Sequence, residues 1–435
     1  MMRKEFIQLS VPNILTNLTV PLVSLVDVAL MGRMPSVDYI IAIGLATTLF
    51  NLIYFAFGFL RMGTTGLVSQ AYGRNEPEKM KDLFVQGMIV SFCISLLLIC
   101  FQNQLIELGL WFFEVDEITE QLIRNYFGIR IWAAPATISL FVIIGWLLGV
   151  QDSKLTLLLA IIINLSNAII SYFLVWQLNL EIVGVAYGTV IAQYTGLITG
   201  LLILKLKYQF SIFKFYSRIR FTTKAWKEFF MVNKNIFIRT LCLLFTLSFF
   251  KIQSVNHGGI IGAVNLLLLE FVMLSAYGID GLAFAAESLT GKYFGMKNLE
   301  LLKRSIRVSV RYGLGLGFLI SGLFYLFGES ILKLLTDKQA IIELAVVYMP
   351  WLIIAPIINA LAFIWDGVYI GCTATQAMKW TLLISTFVIF LPSFYLFKLF
   401  FGNHGIWLSM TLFMLSRGIL QTLWAQRYIY GRLSS

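Results

Sequence analysis

Charge is scarce in this sequence. Only 13% of its 435 residues are Asp, Glu, Lys or Arg, against about a quarter in an ordinary soluble domain, so the chain cannot cover a water-exposed surface. Histidine is scarcer still. His257 and His404 stand alone at expected outer loop tips, a pattern that excludes a histidine-built metal site or a catalytic triad. The four cysteines, Cys93, Cys100, Cys242 and Cys372, lie in or near apolar stretches with no paired spacing. They read as small packing groups, not as metal ligands or disulfides. Strand-type alternation is missing too, which excludes an outer-membrane barrel.

Hydrocarbon fills the chain instead. Hydrophobic residues make up 59% of it, and the mean hydropathy is +0.84. Apolar runs long enough to cross about 30 Å of lipid recur near 10–32, 41–70, 84–107, 125–149, 155–177, 183–206, 229–254, 260–290, 305–328, 344–371, 380–401 and 406–426. The expected fold class is an all-α integral membrane protein with about twelve transmembrane helices. Arg3-Lys4 before an apolar stretch imitates a signal peptide, but no small-residue cleavage site follows, so it reads as a retained first helix. The net charge of +11 and isoelectric point of 9.4 invite a nucleic-acid reading. Sorting the bases by loop removes it: with the N-terminus inside, about twenty fall in cytoplasmic segments and about five outside. The longest inner loop carries Lys205, Lys207, Lys214, Arg218, Arg220, Lys224 and Lys227, whereas the outer loop after the third run carries Glu114, Asp116, Glu117 and Glu120. Both termini are expected in the cytoplasm.

The chain also repeats itself. Ala71-Tyr72-Gly73-Arg74-Asn75 has a counterpart in Tyr293-Phe294-Gly295-Met296-Lys297, and Gly145-Trp146-Leu147-Leu148-Gly149 in Gly367-Val368-Tyr369-Ile370-Gly371. Gly295 lies 222 positions beyond Gly73, and Gly371 lies 222 beyond Gly149. One offset at two landmarks indicates a duplicated half, the internal symmetry of secondary transporters. Residues 1–207 are expected to form an N-terminal six-helix lobe and 229–435 a C-terminal one. Six spans per lobe give both the same orientation, related by a pseudo-two-fold axis along the membrane normal. Residues 208–228 would join them as a cytoplasmic amphipathic linker, since Phe215 to Met231 mixes Arg and Lys with Phe221, Trp226, Phe229 and Phe230. The loops Gly73–Lys81 and Gly295–Lys303 are expected to be equivalent turns.

A charge at the bilayer centre costs roughly 2.5–3.5 kcal/mol, so each one needs a partner, a cavity or a task. Asp27 is the sharpest case, far from any loop charge. At about 100° per residue, Asn13, Asn17, Ser24 and Asp27 fall within about 40° of one line on the first helix, as a cavity lining would. Pro12 and Pro21 each delete a backbone hydrogen bond there and favour a bend. A protonatable acid on a bending helix suits a mechanical switch. The alternative is a structural carboxylate satisfied by a neighbouring helix; its own helix has no Arg or Lys between Lys4 and Arg33. Asn164, Asn167 and Ser171 form a second polar stripe, equally suited to supporting Asp27 or to joining two helices. In the second half, Asp280 and Glu287 share one face, Glu270 precedes them, and Asp366 opens the repeated glycine motif. These acids fit either a cation site or a static network. Arg61, Arg130, Arg239, Lys251, Arg311 and Arg417 are the bases within runs; ion pairing accounts for most of them, and Arg61 and Arg417 are placed to snorkel.

The run from Leu9 to Gly32, with Pro12, Asn13, Asn17, Pro21 and Asp27 in place, resembles the first helix of the multidrug and toxic compound extrusion (MATE) family. The stretches Phe59 to Gly73, Asp280 to Glu287 and Trp365 to Gly371 resemble its DinF-like branch. The resemblance implies an exporter with two six-helix lobes around a central cavity, driven by protons or sodium. It makes Asp27 the match for the family's proposed protonation site, and Pro12 the match for the proline near which the first helix bends. Two departures matter. Where relatives often carry a second acid on the fifth helix this chain has Ser171, and no acid occupies the seventh run from Phe229 to Ser254. Protons are therefore favoured over sodium.

The expectation is a monomeric antiporter in the bacterial cytoplasmic (inner) membrane, exporting amphipathic, cationic organic compounds in exchange for protons by alternating access. Neither a metal nor a cofactor is expected. Tyr54, Phe55, Phe57 and Phe59 are candidate lining residues. No histidine–carboxylate or nucleophile constellation suggests an enzyme. The alternatives are a sodium-coupled exporter and a lipid-linked oligosaccharide flippase. The flippase would need several cavity-lining bases, for which Arg61, Arg130, Arg239 and Arg311 are the candidates.

Overall fold

The computed structural model describes residues 2–113, 115–210 and 222–434. Twelve helices in it are long and apolar enough to cross a membrane: α1 Met2–Met31, α2 Asp38–Gly73, α3 Pro77–Cys100, α4 Glu117–Gly149, α5 Ser153–Trp176, α6 Glu181–Tyr208, α7 Thr223–Asn256, α8 Gly259–Gly295, α9 Leu299–Leu334, α10 Gln339–Gly371, α11 Thr375–Phe401 and α12 Asn403–Leu433. No strand occurs among the described residues. The expected class and span number hold.

Local chemistry sets the helix ends. Pro77 opens α3, where its missing N–H costs nothing. The Asp116 carboxylate accepts the Thr119 N–H at 2.8 Å and starts α4, and Asn298 accepts the Leu301 N–H at 2.9 Å at the head of α9. The Thr119 N–H, with the Thr119 hydroxyl as a second donor, holds the Asp116 carboxyl below the usual carboxylate range. Within α11 the segment Ile384–Phe390 is π-helical, just before Pro392, which has no N–H to continue the regular ladder. α1 runs unbroken through Pro12 and Pro21.

The duplication extends well beyond its two sequence landmarks. The starts of α3 and α9, α4 and α10, α5 and α11, and α6 and α12 are each 222 residues apart. The turns repeat as well. Asn75 and Lys297 take left-handed backbone angles of φ 56° and 54°, and Gln151 and Thr373 take φ 66° and 48°. Gly73–Lys81 and Gly295–Lys303 are indeed equivalent turns.

Packing follows the same register. A Cβ on Gly145 would meet the Arg61 carbonyl oxygen of α2 at 2.5 Å, and one on Gly367 would meet the Ala283 carbonyl oxygen of α8; position 283 is again 222 beyond 61. Gly149 sits against Val68 and Ser69, and Gly371 against Thr290 and Gly291, their counterparts at that offset. The small-xxx-small spacing lets the two backbones approach with no side chain between them.

The chain forms two compact units. One comprises Leu18–Ala71 and Asn75–Phe230; the other comprises Met1–Asn17, Tyr72–Arg74 and Met231–Ser435. They are called the N-terminal and C-terminal units below. The first turns of α1 belong to the C-terminal unit because Gly281 of α8 leaves room there: a Cβ on it would lie 2.6 Å from the Ile14 Cα.

Three expectations need adjusting. The third run was placed at 84–107, but α3 ends at Cys100 and a separate short helix, Gln102–Phe112, follows a break at Phe101. α9 begins at Leu299, ahead of the expected 305, because its first turns are rich in charge and fall below an apolar threshold. Of the expected linker, residues 211–221 lie outside the described residues. Trp226, Phe229 and Phe230 belong to the opening turns of α7, where Trp226 stacks on Phe230 with centroids 5.5 Å apart.

Candidate functional site

In the N-terminal unit α1 brings Asp27 within electrostatic range of Arg130 on α4, which an aromatic cluster from α2 and α4 surrounds. Asp27 is buried, with 4% of its surface exposed, and its Oδ1 has no hydrogen-bond partner among the described residues. The charged group that faces it is Arg130, with Tyr126 also within electrostatic range. Arg130 is held from several sides: it donates to the Tyr126 hydroxyl at 2.7 Å and to Thr47 Oγ1 at 3.2 Å, and its guanidinium lies 4.8 Å from the centre of the Phe50 ring. Phe50 in turn stacks on Phe127 at 4.8 Å and on Tyr54 at 5.7 Å. The cation is fixed by neutral groups and ring faces, so its position does not depend on the acid.

The polar stripe on α1 is divided between the two units. Asn13 is buried in the C-terminal unit, and Asn17 donates to the Tyr277 carbonyl of α8 at 3.2 Å. Ser24 and Asp27 belong to the N-terminal unit. The stripe on α5 turns toward α6: Asn167 donates to Thr189 Oγ1 at 3.1 Å, and Ser171 fills the space beside Gly188, where a Cβ would strike its Oγ. Asn164 is half-buried on the same helix. Asn167 and Ser171 thus join two helices of one unit. Of the aromatic candidates, Tyr54 belongs to the pocket behind Arg130, Phe55 is exposed, and Phe57 and Phe59 are half-buried neighbours 6.3 Å apart.

The C-terminal unit uses its acids differently. Asp366 is buried and every contact it makes is a strong one. Its Oδ2 accepts from Arg239 and, at 2.6 Å, from Arg417; its Oδ1 accepts from Gln421 at 2.6 Å. Arg417 is fully buried and does not snorkel as its sequence position suggested; its outer nitrogen reaches the Met414 sulfur at 3.0 Å, and Phe413 lies under it at 5.3 Å. Asp280 lies within electrostatic range of Arg417 and is half-buried. Glu287 is buried on α8, and Glu270 is exposed. Arg61 is half-buried, with its carbonyl against Gly145. For Asp366 and Arg239 the arrangement is a closed ion network, with one carboxylate shared by two guanidiniums.

Sequence reasoning found Asp27, Asp366 and Arg239 but missed their partners. Arg130, Arg417 and Gln421 each sit on an apolar helix with nothing nearby in sequence to pair with. The one available signal was that an in-span base demands a partner, and among the acids of its own half Asp27 alone is equally stranded.

Comparison with known proteins agrees with this architecture. The MatE family model matches residues 12–173 and 238–396. The chain is 31% identical over 434 residues to DNA damage-inducible protein F of Escherichia coli (strain K12), covering 98% of this chain and 93% of that protein. It is 20% identical over 419 residues to the probable multidrug resistance protein NorM of Bacillus anthracis, covering 94% and 92%. Among solved structures, a MATE protein crystallised in a straight conformation superposes with a TM-score of 0.88 at 18% identity, covering 100% of this chain and 96% of that one.

Proposed function

This chain belongs to the MatE family of membrane transporters, and from that premise we propose that it exports amphipathic, cationic organic compounds in exchange for protons, with Asp27 as the group that takes up and releases the coupling proton. The observation that carries the reading is the contrast between the two buried acids. Protonating Asp366 would break bonds to two arginines and a glutamine, whereas Asp27 has a buried oxygen with no donor to lose.

Arg130 supplies the mechanical link. When Asp27 is charged, its attraction to Arg130 holds the second half of α1 against α4. A proton removes that attraction, and Arg130 stays on Tyr126, Thr47 and Phe50. The acid then leaves a fixed cation behind, and α1 is released. Protons and organic cations compete by alternately neutralising the same anionic region. One-for-one exchange is electroneutral, so the drive is the pH gradient at about 1.4 kcal/mol per unit. The excess of Lys and Arg in one set of loops supports a cytoplasmic position for both termini. The relationship to an Escherichia coli protein supports a bacterial inner-membrane location.

The flippase alternative is weakened by how the bases are engaged. Arg130 is bound inside the N-terminal unit, and Arg239 shares a carboxylate inside the C-terminal one, so neither is available to hold a pyrophosphate. The test is substrate-induced proton release from everted vesicles under an imposed pH gradient without sodium, comparing wild type with Asp27→Asn. Arg130 keeps its other contacts in that variant, so it should fold. Flux in wild type that is lost in Asp27→Asn is the expected result. Flux that persists in the variant removes Asp27 from the mechanism. A requirement for sodium would mean sodium coupling, and no flux with any organic cation would favour the flippase.

A further inference from the structure

The first turns of α9 carry a row of cations that the transport reading does not use. Lys303, Arg304, Arg307 and Arg311 recur at helical spacing on one side of the helix. Arg3 of α1 joins Arg304, Arg307 and Arg311, with Tyr312, around a concavity of about 320 Å³ within the C-terminal unit. A larger groove of about 680 Å³ continues from it along α9, past Val310 and Leu314 to Phe318, with Tyr430 of the C-terminal segment at its basic end. Tyr312 is braced by the Phe6 ring at 5.5 Å, and Lys303 lies 5.5 Å above the Tyr430 ring.

Among the described residues no acid pairs with these bases. None of the four arginines forms an ion pair among the described residues. Glu5, the nearest acid on α1 in sequence, is taken by Lys292 at 2.6 Å and the Tyr293 hydroxyl at 2.8 Å. Glu300, one turn before Arg304, is exposed and makes no ion pair among the described residues. Four cations converge where a helix of membrane-spanning length begins, and the same groove turns apolar as it runs on into the span.

We propose that this groove binds an anionic phospholipid, its phosphate among Arg3, Arg304, Arg307 and Arg311 and an acyl chain along Val310, Leu314 and Phe318. Charge complementarity commits the headgroup to a negative one. The apolar extension commits it to a lipid, since a free phosphate has no use for Phe318, which is 61% exposed. With Arg3 on α1, three arginines on α9 and Tyr430 near the end of α12, such a lipid would join three parts of one unit. The site does not depend on the coupling ion or on the exported compound.

Native mass spectrometry of the detergent-purified protein tests this. Cardiolipin or phosphatidylglycerol should be retained in preference to phosphatidylethanolamine. Arg307→Gln/Arg311→Gln should lower that preference roughly thirtyfold. Lys224→Gln/Lys227→Gln removes two exposed charges on α7 and should leave it unchanged. If the arginine variant does not elute as folded protein, Arg3→Gln/Arg304→Gln replaces it. Equal loss in the arginine and lysine variants would reduce the effect to general attraction and overturn the site. So would equal retention of phosphatidylethanolamine, or displacement by glycerophosphate at the concentration that displaces the whole lipid.

Discussion

Replacing Asp366 with Asn would test whether the acids of the C-terminal unit are structural. In the wild type one carboxylate faces two guanidiniums, so the cluster carries a net charge of +1, and the side chains of Asp366, Arg239 and Arg417 are 5%, 7% and 0% exposed. Asp366→Asn raises the buried excess to two positive charges and turns one acceptor into an amide donor facing a guanidinium. Removing one partner of a buried pair costs about 3–5 kcal/mol. For a unit of this size that is a fall in melting temperature of roughly 6–20 °C. Arg417→Met has the opposite bookkeeping: it leaves Asp366 paired with Arg239 and Gln421, and the cluster becomes neutral. Losing one charged hydrogen bond, worth about 1.5–3 kcal/mol, is then offset by removing the uncompensated charge. The assay is the fraction of protein surviving as a monodisperse size-exclusion peak after stepwise heating in detergent. Asp366→Asn should melt far below Arg417→Met. An Asp366→Asn protein within about 2 °C of wild type, or an Arg417→Met protein that falls as far, would refute the charge argument. The acid would then be open to a cation-binding role.

Two further outcomes follow from the packing and from one loop. Gly145→Val and Gly367→Val should each cost about 1–3 kcal/mol or more by forcing a methyl group against a carbonyl of the adjacent helix, whereas Gly44→Ala, with nothing within 4 Å of its new Cβ, should fall within about 0.5 kcal/mol of wild type; equal melting of all three would undo the close-packing account. The His257 imidazole is held below its usual range by burial and by Lys398, so the unfolded chain binds its proton more readily than the folded one, and stability should decline as pH drops below about 6.5. Melting curves from pH 5 to 8 should show His257→Gln lacking that share of the decline, and superposable profiles would count against it.

Much of the fold was legible because its signals are local. Apolar length marks the spans, and a glycine pair four residues apart marks a helix that must lie close to its neighbour. Two such landmarks were enough to find an offset that the helix starts and the left-handed turns then repeat. Boundaries failed where composition and conformation part ways. α9 is helical through Lys303 to Arg311, but a hydropathy window discounts those turns, and the cationic groove was hidden with them. Within the site, Asp27 could be found because an acid in hydrocarbon is rare. Its partner could not be named, since Arg130 lies more than a hundred residues away and only tertiary packing brings the two together. The partner of Arg417 is hidden for the same reason: distance along the chain from a helix end says nothing of a carboxylate contributed by another helix.

The two halves share a frame and differ in charge, and that difference bears on where a proton can act. At the 222-residue offset Asp27 corresponds to Phe249 and Arg130 to Leu352, while Asp366 corresponds to Ile144, Arg239 to Asn17 and Arg417 to Thr195. The glycine contacts and turns are duplicated; none of these ionisable groups is. Packing must be preserved in both copies because each needs its helices to close on one another, and a side chain at Gly145 or Gly367 would disrupt either. Charges are under no such constraint, and each half has assigned them to a different end. The C-terminal unit surrounds its acid with donors, which fixes the helices bearing Asp366, Arg239 and Arg417 relative to one another. The N-terminal unit gives its acid one fixed cation and leaves an oxygen unbonded. A transporter in which both halves were equally responsive would have no rigid body for the moving helix to work against. For a proton acting at Asp27, as proposed, the change falls on the attraction between α1 and α4, while Asp366 stays locked by its two arginines and Gln421.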